Sequence, residues 1–180
     1  MDYERIGTGA LVAATVVVGG AIALGDQPGR VLNGIGGMAW FASAGLLVLA
    51  ARTRPSHPWQ WVATIGLTAA VAFVVKPSDL TLATIGLGGS GLVMGLLAKR
   101  DPMLWVKLIP ALYLPMHIGT AVLKAIGRRV LGMEASIRTD PPPTAAIVPF
   151  VMVVAAVAGG LIAQAIRQRG GLRGWRRQAV

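Results

Sequence analysis

A chain of 180 residues that is 54% hydrophobic and only 13% charged lies far below the roughly 25% charge of soluble domains and reads as a membrane protein. Its 17 Lys and Arg against 7 Asp and Glu give a formal net charge of +10. The basic residues nevertheless sit almost wholly between apolar runs, as topology signals and lipid-phosphate contacts do, and no stretch is long enough to fold as the soluble domain that a nucleic-acid face requires.

Cysteine is absent, which excludes disulfides, thiolate metal sites and cysteine nucleophiles together. The leader MDYER carries two acids and one arginine, unlike the basic start of a signal peptide, so the first apolar run is expected to be a retained span. Crossing about 30 Å of hydrocarbon takes roughly 20 helical residues. Runs 6–24, 31–51, 59–75, 80–98 and 144–166 meet or approach that length without a charge, and 103–123 does so with one lysine, Lys107. None alternates with the period of two that a barrel strand shows. The sequence predicts an all-α polytopic membrane bundle of six transmembrane helices over residues 1–166.

The connections DQPGR, RTRPSHP, KPSD and KRDP are short, and each holds a proline and a charge. Short links of this kind force antiparallel neighbours. The stretch 124–143 is a longer loop ending in three prolines, which favour an extended spacer. Its part RRVLGMEASIR either lies along the membrane surface or is irregular. Residues 167–180 form a basic tail. Counted on alternate sides, with Lys107 left out as intramembrane, ten Lys and Arg share the side of both termini and six face the other. Both termini are therefore expected in the cytoplasm of a plasma-membrane protein. A re-entrant fifth segment, bent at its prolines, fits the tally less well.

All seven acids (Asp2, Glu4, Asp26, Asp79, Asp101, Glu134, Asp140) fall outside the spans. That argues against proton antiporters, cation pumps and carboxylate-ligated metal centres, which need carboxylates at membrane depth. Haem held by two intramembrane histidines is excluded as well, because His57 lies in a loop and leaves only His117. The run GLGGSG at 86–91 lacks the Lys-Ser/Thr of a phosphate loop. No cofactor or metal is expected, and an intramembrane enzyme is disfavoured for want of a nucleophile and base.

Small residues recur at helical spacing: Gly88, Gly91 and Gly95; Ala155, Gly159 and Ala163; Ala10 and Ala14. Without a hydrophobic drive between helices in lipid, such faces let backbones approach closely. Packing inside the bundle is the first reading, and a homo-oligomer or membrane-protein partner face the second.

The fifth span is the polar one. Lys107, Pro110, Leu114 and His117 share a stripe with Tyr113 beside it, and Pro110 and Pro115 strip helical donors from the carbonyls of Val106 and Ala111. Lipid tolerates freed carbonyls only where neighbours or a cavity satisfy them. Lys107, Tyr113 and His117 are therefore candidate cavity-lining residues, converging with Trp40 or Asn33, and Lys107 snorkels to the cytoplasmic mouth. A helix whose Tyr and His simply bond to neighbours is the alternative. In the tail, Arg167, Arg169, Arg173, Arg176 and Arg177 flank Trp175, a composition suited to anionic lipid headgroups.

Six short-looped spans with small residues on the first resemble the substrate-binding component of energy-coupling-factor vitamin transporters. In that family an Ala-x-x-x-Ala on the first helix docks the energising partner, and Ala10 with Ala14 supplies the spacing here. The likeness covers layout and that spacing only, and no substrate signature matches. The functional expectation is a small-solute transport or solute-binding membrane module. A non-catalytic structural or assembly subunit of a larger membrane complex is the alternative. Reporter fusions after residues 28, 78 and 140 are expected to read as external, and an internal signal at 140 would favour the re-entrant segment.

Overall fold

The computed structural model of the chain describes residues 2–24, 27–74, 80–130 and 146–178, with the side chains at 27, 28, 30 and 170–178 excepted. These residues form six helices: α1 (Tyr3–Leu24), α2 (Gln27–Arg52), α3 (Pro58–Val74), α4 (Leu80–Leu97), α5 (Pro102–Val130) and α6 (Val148–Gln178). Five are long and apolar enough to cross a membrane, and α3 is apolar but shorter, at 17 residues. Val12, Val62, Ile85, Leu123 and Val154 are each more than half exposed on the outside of the bundle. So much outward aliphatic surface is untenable in water and ordinary against lipid. The chain is a multi-pass helical membrane protein.

Helix starts follow local rules. The Asp2 carboxylate accepts the Arg5 N–H at 3.3 Å, an N-cap on α1. Gln60 takes the His57 N–H on its side-chain oxygen at 2.9 Å and returns its own N–H to the His57 carbonyl at 2.9 Å. This is the reciprocal cap of a Gln at the third helical position, with Pro58 at the first. Asp101, with φ of 46°, occupies the left-handed region that Asp tolerates better than most residues, and Pro102 begins α5 behind it.

Packing sets helix direction. Gly7 faces Leu46 and Leu47 while Gly36 faces Val17 and Val18, so α1 and α2 run antiparallel. Gly91 lies on the backbone of Ala156, Gly159 on that of Gly88, and Gly95 against Gly160 and Ala163, so α4 and α6 run parallel. The edge-on Trp61–Trp105 ring pair at 5.0 Å and the contact of Ala72 with His117 set α3 parallel to α5. Helix α5 touches every other helix. It is the axis of the bundle.

The small faces of α4 and α6, Ala155 at 3.5–3.9 Å from a Cβ on Gly88 included, are closed on each other, the first reading of their spacing. Other expectations change. Ala14 is fully buried and Ala10 half-buried, so their spacing is not a free docking edge. The fifth segment is one continuous 29-residue helix through both prolines, not a re-entrant turn, and it takes in Lys124 to Val130 of the expected loop. Residues 131–143 of that loop lie outside the described residues. Helix α6 continues to Gln178, so residues 167–178, set apart from the sixth span as a basic tail, are part of the same helix.

Gly91 and Gly89 sit on opposite faces of α4, and only Gly91 has backbone where a side chain would go. Gly91→Leu should cost at least the roughly 1–3 kcal/mol of core overpacking, read as a lower melting temperature in detergent. Gly89→Leu, with nothing within 4 Å of its Cβ position, should leave the melting temperature unchanged.

Candidate functional site

The interior has few polar groups, and several are satisfied within their own helix. Thr15, Thr68 and Ser90 donate their hydroxyls at 2.7 Å to carbonyls four residues back, those of Leu11, Thr64 and Gly86. Among the described residues, no buried side-chain nitrogen or oxygen lacks a partner.

Against this background a cavity of about 190 Å³ opens between α1, α2, α5 and α6. Asn33 and Trp40 reach it from α2, and Tyr113, Leu114 and His117 from α5. Its remaining wall is Val18 and Ile22 of α1 with Val148, Pro149 and Met152 of α6. Tyr113 and His117, one helical turn apart, stack with ring centroids at 5.6 Å and planes 12° apart. Asn33 is exposed at the cavity's edge.

The prolines explain how the wall is held. Pro115 has no N–H, so the Ala111 carbonyl loses its helical donor. The Trp40 indole Nε1 lies 3.1 Å from the carbonyl oxygens of both Ala111 and Pro110 and replaces that donor from across the α2–α5 contact. His117 acts in the same way on another helix. Its Nδ1 is 3.3 Å from the Ala72 carbonyl, one of the last four carbonyls of α3, which have no partner within their own helix.

Four of the five sequence-derived cavity residues therefore meet: Asn33, Trp40, Tyr113 and His117. Lys107 does not join them. Its Nζ is 2.8 Å from the Glu4 carboxylate, whose other oxygen is 2.7 Å from Arg54, and Arg54 is in turn 3.1 Å from Asp101. Instead of snorkelling to headgroups, Lys107 ends a chain of two cations and two anions that ties α1, the α2–α3 link and the start of α5. The cause is the parallel run of α1 and α5, which brings the first turn of α1 beside the second turn of α5. Sequence reasoning placed Glu4 outside the span and so gave Lys107 no partner; the clue was that both fall at the same end of a six-helix alternation.

Arg167 also departs from its expected role. Its guanidinium donates to the carbonyls of Gly95 at 3.1 Å and Ala98 at 2.7 Å, capping the C-terminal end of α4. Arg169 is exposed, and the side chains of Arg173, Trp175, Arg176 and Arg177 lie outside the described residues. The apolar cavity wall from α1 and α6 carried no sequence signal, because Val18, Ile22, Val148 and Met152 look like any span residue.

Comparison with known protein families, curated protein sequences and solved structures finds no match. The site stands on its geometry alone.

Trp40→Phe should destabilise the protein by about 1–3 kcal/mol, since it leaves a buried carbonyl unserved. In a Pro115→Ala background residue 115 regains an N–H for Ala111, so the same substitution should cost less. A double-mutant cycle of unfolding in detergent measures the coupling, expected within roughly 0.5–3 kcal/mol; additive effects would mean that the indole does not serve this carbonyl.

Proposed function

We propose that this membrane protein is a non-catalytic, small-solute-binding module of the plasma membrane, crossing it six times with both termini in the cytoplasm. The observation that carries the binding role is the convergence of Asn33, Trp40, Tyr113 and His117 on one cavity whose other walls are apolar. Ligand sites have this character, mostly apolar walls with a few placed polar groups. Binding is favoured over conduction. Thr15, Thr68 and Ser90 bond back to their own helices and the Thr64 hydroxyl is taken by the Met94 sulfur, so these groups are not presented to a passing solute.

Support for six crossings comes from the alternation of helix direction. Glu4, Arg54, Asp101 and Lys107 meet at one end, as they must if every helix, α3 included, traverses. Orientation rests on the excess of Lys and Arg on the side of both termini. With Arg167 engaged on α4, the exposed Arg169 is left for anionic headgroups on that side, the role that the composition of the tail suggests for the arginines around Trp175.

A second reading, a structural subunit of a larger membrane complex, draws on one feature. Gly34, Gly37 and Gly45 of α2 have nothing within 4 Å of their Cβ positions, and outward glycines suit close helix approach. The two readings separate on His117→Leu. If the cavity binds a solute, native mass spectrometry of wild-type protein in mild detergent should show a bound small molecule. The variant should lack it while still folding, its melting temperature lowered by no more than the lost hydrogen bond to the Ala72 carbonyl accounts for. A wild-type spectrum without such a molecule, or one unchanged by the substitution, would favour the structural subunit.

A further inference from the structure

What the cavity selects follows from the imidazole of His117. A backbone carbonyl only accepts hydrogen bonds, so the 3.3 Å approach of Nδ1 to the Ala72 carbonyl puts the ring proton on Nδ1. In the neutral ring Nε2 is then an acceptor with a lone pair to offer. The Trp40 N–H is already engaged with Pro110 and Ala111. Asn33 adds an amide at the cavity's edge, with both a donor and an acceptor. An occupant must therefore bring a donor for Nε2. An ether or a ketone would leave that nitrogen unserved in an apolar site, at the cost of an unmade hydrogen bond. A carboxylate would need a cation, and Lys107 is held by Glu4 away from the cavity.

Size narrows the class further. At about 190 Å³ the cavity is smaller than the roughly 300–1,000 Å³ of drug-sized sites, so it houses a ring or short head and not a whole amphiphile. Leu114 lines the cavity, and one and two turns further along the same stripe of α5 Ile118 and Val122 are 44% and 52% exposed, an aliphatic surface along which a tail can lie. We infer that the cavity takes the head of a neutral, hydroxyl-bearing amphiphile, a phenol or alcohol with an apolar tail. The hydroxyl donates to Nε2 of His117, and its oxygen receives the Asn33 amide. The inference rests on the solute-binding role proposed above and specifies its chemistry.

The test compares 4-butylphenol with its methyl ether, which differ in the donor, on full-length protein in nanodiscs, with empty nanodiscs correcting for partition. Saturable binding by calorimetry is expected to favour the phenol about tenfold, the scale of one net hydrogen bond. The preference should fall to about one in His117→Leu, while Asn33→Leu, whose exposed position makes it a mild change for the fold, should weaken both probes several-fold, because the ether oxygen also accepts from the amide. Should His117→Leu fail to fold, the wild-type ratio and Asn33→Leu decide the matter. Equal affinity for the two probes would overturn the hydroxyl class while leaving solute binding intact. No saturable binding of either probe would also overturn it, and solute binding would fall with it only if wild-type protein carried no small molecule in the mass spectrum.

Discussion

In hydrocarbon no water is available to serve a backbone carbonyl, and the bundle is organised around that constraint. It is sharpest on α5, where Pro115 takes the helical donor from Ala111. The donor comes from the side chain of Trp40 on a different helix. A tryptophan near the middle of a span is usually packing, and Trp40, at 2% exposure, does pack. Its indole N–H also fixes how α2 lies against α5, because a hydrogen bond to a particular carbonyl sets rotation and height in a way that apolar contact does not.

The same constraint accounts for three further long polar side chains. His117 serves Ala72, and Lys124 reaches the Phe73 carbonyl at 3.2 Å with its ammonium 4.4 Å from the Phe73 ring centroid. Arg167 serves Gly95 and Ala98. Each is a donor from one helix placed on the C-terminal end of another, where unpaired carbonyls gather and the helix dipole is negative. Basic residues near span ends are commonly read as headgroup contacts or topology signals. Here they close the ends of α3 and α4, and α3, at 17 residues, gains two such donors.

How much of this was legible in the sequence depends on the range of the interaction. The helices were legible because lipid imposes length and composition on each span separately. The small-residue faces were legible as faces, since spacing within one helix reveals them, but the pairing of Gly91 with Ala156 was not. Asn33, Trp40, Tyr113 and His117 stood out because polar atoms in apolar runs need partners. The ion pair of Lys107 with Glu4 spans 103 residues of sequence and depends on α1 lying parallel to α5. Nothing local to either residue encodes that, so Lys107 read as a snorkelling side chain. Arg167 was misread for the same reason, its partners being carbonyls 69 and 72 residues away.

The most polar span is also the central one, and the two facts have one cause. A helix carrying two prolines, an amine, a phenol and an imidazole has more groups needing partners than a single neighbour can supply. Only a position touching all the other helices offers enough of them, and α5 has that position. Its first half, Leu104 to Tyr113, is almost wholly buried, whereas residues 118–130 are mostly exposed. The cavity lies at the junction, where α5 leaves the core and α1, α2 and the start of α6 no longer close around it. Tyr113 and His117 sit at that junction, the last polar groups before the helix meets the outside. The site is thus a consequence of where the central helix emerges from the core.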